Sequence, residues 1–238
     1  MLLDKGVERR GPPKPASRAS QVLSAIGRLI LPILALLGCF GVIARLWQVP
    51  ARDFHFLLQF HAGLDPMDGR WLSWSVVLVP FVFFVVNLTN RRYGSALALW
   101  AVVLSWLILG GLLFWAAEQG LLAVYLDDAG LKRQAASFAV ALFVGEILCI
   151  YFFDWLRGIP WWQAPFMAAL VAGLAYTFVF HAAAYGLDHG MLKGVWSGDI
   201  WPHLIALSGL QLAWALLQLL PTAALRGLIR PLPGYGGA

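Results

Sequence analysis

The chain has 238 residues, of which 61% are hydrophobic and only 12% charged, about half the roughly 25% charge of a soluble globular domain. A mean hydropathy of +0.75 excludes a soluble enzyme, a nucleic-acid-binding domain and a disordered chain. The net charge of +5 therefore reads as basic loops flanking a lipid bilayer, with no nucleic acid as partner.

Residues 1–22 are polar, carry Lys5, Arg9, Arg10, Lys14 and Arg18, and are broken by Gly11-Pro12-Pro13, which predicts a disordered tail. Six apolar stretches follow at about 23–46, 71–88, 95–118, 136–156, 164–186 and 202–229, each near the roughly 20 residues that cross a bilayer as a helix. The first is too long for a signal-peptide core and reads as an uncleaved span. Runs such as Val76 to Val86 do not alternate as barrel strands would. The fold expected is all-α, a polytopic bundle of six transmembrane helices, with a short tail at 230–238.

Between the first two spans, Asp53-Phe-His-Phe-Leu-Leu-Gln-Phe-His61 is amphipathic enough to lie in the interface. Trp47, Trp71, Trp74, Trp155, Trp161, Trp162, Trp196 and Trp201 fall near span ends, where an aromatic belt belongs. With the N-terminus inside, the cytoplasmic side holds eleven of the 17 Lys and Arg, so both termini are expected in the cytoplasm of an inner-membrane protein.

The second span ends in Asn87-Leu-Thr-Asn-Arg-Arg-Tyr-Gly94. Asn87-Leu-Thr matches a glycosylation acceptor but sits at the cytoplasmic face, and Gly94 permits a sharp reversal into the third span. Arg91 and Arg92 need no role there beyond fixing orientation.

Ionisable groups within the bilayer are costly and so mark function by default. Glu146 is the one acid deep within a span; it either holds a substrate donor or a proton, or hydrogen-bonds a neighbouring helix. Cys149 and Phe153 continue its stripe. His181 in the fifth span is a second candidate proton carrier, with Tyr176 and Thr177 one turn away. Gln211 and Gln218, seven apart, share a face of the sixth span and could bind a ligand or tie helices together. Pro32, Pro80, Pro165 and Pro221 interrupt spans or their entrances. Cys39 and Cys149 offer neither a disulfide framework nor metal spacing. HExxH, CxxC, GxSxG and P-loop patterns do not occur in the sequence, so neither an enzyme nor a cofactor is expected.

Two blocks resemble the VUT family, the queuosine precursor transporters. One is Val79-Pro-Phe-Val-Phe-Phe-Val-Val-Asn-Leu-Thr-Asn-Arg-Arg-Tyr-Gly94; the other runs from Ala135-Ala-Ser-Phe138 through Gly145-Glu-Ile-Leu148, Tyr151-Phe-Phe and Trp155-Leu-Arg157 to Trp161-Trp-Gln-Ala-Pro165. Leu220-Pro221 is similar to the proline late in the family's last helix. The resemblance implies six helices with both termini inside and uptake of a 7-deazaguanine precursor of queuosine. It also places Asn87 and Cys149 where the family carries Asp, Gln211 where it carries Lys, and Ala168-Ala169, Gly173 and Tyr176 where its fifth helix is more polar.

A flat bicyclic ring would be held between aromatics, with its donor-rich edge on a carboxylate. That gives Glu146, Asn87, Gln211, Tyr176, Cys149 and Tyr151 as candidate substrate-binding residues. Glu146 and His181 are the candidates for a proton-linked role. The alternative is a structural or assembly subunit on the same scaffold, its pocket neutralised, packed as a homo-oligomer or against partner membrane subunits.

Overall fold

In lipid no water is available to the backbone, so each apolar run satisfies its own N–H and C=O groups by coiling into a helix. The computed structural model describes residues 18–47, 49–51, 72–121, 129–158, 160–185 and 201–230. Its helices are α1 (Arg18–Arg45), α2 (Trp74–Tyr93), α3 (Ser95–Glu118), α4 (Ala129–Trp155), α5 (Gln163–Tyr185), α6 (Trp201–Leu217) and α7 (Leu219–Leu225). Six stretches are long and apolar enough to cross a membrane, with α6 and α7 forming the sixth. This is a multi-pass, all-helical membrane protein.

Some helices outrun the apolar stretches that announce them, while α3 matches its stretch and α7 stops at Leu225, short of the expected 229. The second span is apolar to Leu88, yet α2 continues through Thr89 to Tyr93. The fourth is apolar from Ala136, yet α4 begins at Ala129 and includes Lys132 and Arg133. Hydropathy marks contact with lipid, whereas a helix ends only when its backbone bonds end. The last span is divided at Gln218. Pro221 has no N–H to return to the carbonyl of Leu217, and its ring crowds that carbonyl, which breaks the helix there. Within the stretch expected to be a tail, α1 already starts at Arg18. Segment 53–61, Trp71, Trp196 and the C-terminal tail lie outside the described residues.

Two connections fix how the helices stand. Gly94 joins α2 to α3 alone, at φ 84° and ψ 168°, and its N–H bonds Asn90 O at 2.9 Å. That backbone region is open essentially only to glycine. At the opposite side, Ala51 N–H bonds Leu72 O and Trp74 N–H bonds Val49 O, both at 2.9 Å, bringing the end of α1 to the start of α2. The Gly94 face therefore carries the start of α1, the α2–α3 and α4–α5 turns, and the end of α7.

The core lies where α2, α4, α5 and α6 meet. α4 and α5 pair most extensively, and Val77, Val79, Val82, Phe83, Leu142, Ala168, Ala172 and Leu207 fill the interior. Small residues permit the close approach. A Cβ on Gly145 would stand 2.7 Å from the Phe83 ring and 3.2 Å from Ala172 O. α3 lies at the rim, with Leu107, Leu112, Phe114 and Trp115 facing outward.

Candidate functional site

Asn87 lies six residues, or about 9 Å along the helix axis, before the end of α2. It is 2% exposed, which also removes it as a glycosylation acceptor. Its Nδ2 donates to Pro165 O at 3.2 Å, and its Oδ1 accepts from Cys149 Sγ at 3.1 Å. Cys149 is shared with Phe83 O at 3.7 Å. Pro165 occupies the first turn of α5, where a missing N–H breaks no helical bond. The same Pro165 carbonyl accepts from Gln218 Nε2 at 3.1 Å. The break before α7 delivers Gln218 to this point, so α2, α5 and the α6–α7 junction meet at one carbonyl, with α4 joined to it through Asn87.

Gln211 lies seven residues up the same face, about 10 Å along the axis. It is pressed against α5, and a Cβ on Gly173 would stand 2.5 Å from Gln211 Oε1. Glycine at 173 is thus what admits the glutamine between the helices. Gln218 Oε1 and Gln211 Nε2 are both buried without a hydrogen-bond partner, an outlay that a purely structural contact seldom tolerates.

Glu146 stands one turn above Cys149 but faces another way. Trp106 Nε1–H of α3 donates to Glu146 Oε2 at 2.5 Å, and Cys39 of α1 is close enough to interact with its charge. Its Oε1 is buried without a partner, and among the described residues no basic side chain forms an ion pair with it. Phe40 and Phe143 flank the Trp106 ring at centroid distances of 5.0 and 6.1 Å. The carboxyl therefore sits in an aromatic enclosure, where an uncompensated charge is expensive.

The remaining sequence candidates separate from this group. Tyr176 is fully buried, stacks on Phe180 with 5.8 Å between centroids, and meets Phe138 edge-on. It is eleven residues above Pro165, about 16 Å along the axis, and forms an aromatic layer beyond Gln211. His181 lies higher still, with its Nδ1–H directed at Thr177 O at 2.8 Å and its ring edge-on to Phe180. Tyr151 is 62% exposed and packs on Phe152 of its own helix, so it faces outward and is not brought to the group.

Sequence reasoning missed Trp106, because a tryptophan in an apolar helix carries no positional signal. It also missed Asn90. Asn90 Nδ2 donates to Ile150 O at 3.1 Å, and its Oδ1 accepts from Arg157 Nη2 at 2.6 Å. The spacing Asn87–Asn90 put both amides on one helical face, and that signal was legible. Arg91 and Arg92, for which orientation sufficed, also bind the backbone after α7. Among the described residues no group of three His, Cys, Asp or Glu is placed to hold a metal ion.

The arrangement offers amide donors and acceptors, a thiol and one carboxyl inside a sealed bundle. Such groups can read the hydrogen-bonding edge of a small polar solute, and the carboxyl can hold a proton.

Comparison with known proteins agrees with the VUT resemblance of the sequence. The chain is 28% identical over 125 residues to the queuosine precursor transporter of Escherichia coli strain K12, covering 49% of this chain and 57% of that protein. It is 28% identical over 123 residues to a probable queuosine precursor transporter of Haemophilus influenzae, covering 48% of this chain and 52% of that protein. The chain spans little more than half the length of these curated relatives. No family model matches it, and no solved structure matches it significantly.

Proposed function

We propose that this divergent relative of the queuosine precursor transporters carries a small, flat, hydrogen-bonding solute of the 7-deazaguanine class into the cell across the inner membrane. What supports this most is the pair of buried polar atoms left without partners on the α6 side of the bundle, Gln211 Nε2 and Gln218 Oε1, with Glu146 Oε1 likewise unpartnered on the side of α4 that faces Trp106. A planar solute with donors and acceptors on its edges would partner the glutamine amides, and Glu146 would reach it by turning from Trp106. Asn87 and Cys149 would supply the floor of the site and Tyr176 an aromatic lid.

Glu146 is the group we assign to substrate reading or to a coupled proton. His181 is less free for that role, since Thr177 O and the Phe180 ring already engage it. All of these groups are buried, so loading requires the helices to part. The break at Gln218, beside Pro221, is the natural hinge. The same unpartnered atoms weigh against a purely structural subunit, which would gain nothing from burying them.

Uptake of tritiated 7-deazaguanine into proteoliposomes tests this. Wild type should accumulate the label, and Glu146→Gln should reduce uptake by about 10-fold or more, the worth of one charge-assisted hydrogen bond. Equal uptake by both proteins would remove Glu146 from the site. A wild type that moves no label and co-purifies with other membrane subunits would establish the scaffold reading instead.

A further inference from the structure

Arginines from three elements meet at the Gly94 face. Arg91 Nε donates to Ile229 O at 3.3 Å, and Arg92 Nη1 donates to Arg230 O. Arg157 Nη2 reaches Asn90 O at 3.2 Å. The guanidinium groups of Arg157 and Arg226 lie close enough to Arg91 to repel its charge. Among the described residues, the acid facing this cluster is Asp154, which is held by Arg157 at 2.9 Å and by Ser95 Oγ at 3.3 Å. Arg157 is thus answered. Arg91 spends only its Nε on a carbonyl, and Arg226 lies over the Trp161 ring at 5.1 Å. Guanidinium groups gathered at one face focus a positive potential that favours an anion joining them.

We infer that Arg91 and Arg226 bind the phosphodiester of an anionic phospholipid headgroup. Two forked guanidinium groups suit the oxygens of a phosphate. The setting selects a lipid over a dissolved anion. The cluster lies at helix ends, with Trp155, Trp161 and Trp162 exposed around it and Leu220 and Leu228 exposed beside α7 to take an acyl chain. Basic pockets between helix ends are where such headgroups settle. The bound lipid would clip the end of α2 to the segment after α7. This inference does not depend on the identity of the transported solute.

The test uses the full chain in nanodiscs of phosphatidylcholine, with and without added phosphatidylglycerol, and follows thermal unfolding by tryptophan fluorescence. Phosphatidylglycerol should raise the Tm of wild type by about 3–6 °C. Arg91→Gln and Arg226→Gln should each lose at least half of that shift, and the double variant all of it. Arg28→Gln, exposed on α1 at the same face, should keep it. A double variant that retains the shift would overturn the site, and so would an Arg28→Gln variant that loses as much, since diffuse charge would then suffice. Inorganic phosphate reproducing the shift in phosphatidylcholine discs would replace the lipid by a free anion. Native mass spectrometry of wild type needs no variant: phosphatidylglycerol should survive exchange into phosphatidylcholine discs, and equal retention of the two lipids would refute the assignment.

Discussion

α2 and α3 are consecutive, joined by one residue, and opposite in character. Of the apolar stretch of α2, 61% is buried, against 22% for α3. Yet α3 is the more hydrophobic of the two, while α2 carries Ser75, Asn87, Thr89 and Asn90 among its buried residues. A helix facing lipid must be apolar almost all round, since nothing there answers a polar group. A helix enclosed by five others can carry amides, because its neighbours supply carbonyls such as Pro165 O and Ile150 O. In this bundle the less hydrophobic helix is the more buried one, the reverse of the soluble rule.

The widest separation should come from paired aromatic truncations. Phe83→Ala, at a fully buried position of α2, should destabilise the protein by about 2–3 kcal/mol. That is below the ~3–5 of a soluble core, because lipid rather than water is the alternative environment. Phe114→Ala, at a position 70% exposed on α3, should stay within about 0.5 kcal/mol. Reversible unfolding in mixed micelles measures both, and similar costs would erase the distinction between the helices.

A second pair probes close approach. Gly145→Ala sets a methyl against the Phe83 ring and the Ala172 carbonyl and should cost about 1–3 kcal/mol. Gly110→Ala on α3, where nothing lies within 4 Å of the new atom, should be neutral or slightly stabilising. The same unfolding assay ranks them, and a harmless Gly145→Ala would show that α2, α4 and α5 can move apart freely.

A single variant tests the place where α3 reaches the site. Trp106 is the residue by which α3 touches the site, and Trp106→Phe removes the donor to Glu146 while keeping an aromatic ring. It should cost about 1 kcal/mol of stability while lowering solute uptake more than Phe114→Ala does. Unchanged uptake would return α3 wholly to the rim.

Much of the fold was legible because membrane physics acts on composition. Six apolar runs became six spans, and the one-residue reversal at Gly94 followed from what only glycine can do. Helix bounds were less legible, since Lys132 and Arg133 look like a loop to hydropathy yet lie on α4. The candidate site divided. Asn87 and Cys149 do meet, at 3.1 Å, while Tyr151 turns outward, because a residue on an apolar helix gives no sign of which side its neighbours occupy.

Sequence alone determined that this chain lives in a bilayer, that it crosses six times, and that Glu146 is the acid in its depths. Those are properties of single segments, set by the cost of polar groups in hydrocarbon. Only the tertiary structure decided that Glu146 answers to Trp106 rather than to Asn87, that Pro165 gathers three helices at one carbonyl, and that Arg91, Arg157 and Arg226 share a face. Each depends on how one helix is rotated against another, and that rotation is fixed by small residues such as Gly145 and Gly173 at the places where backbones nearly touch.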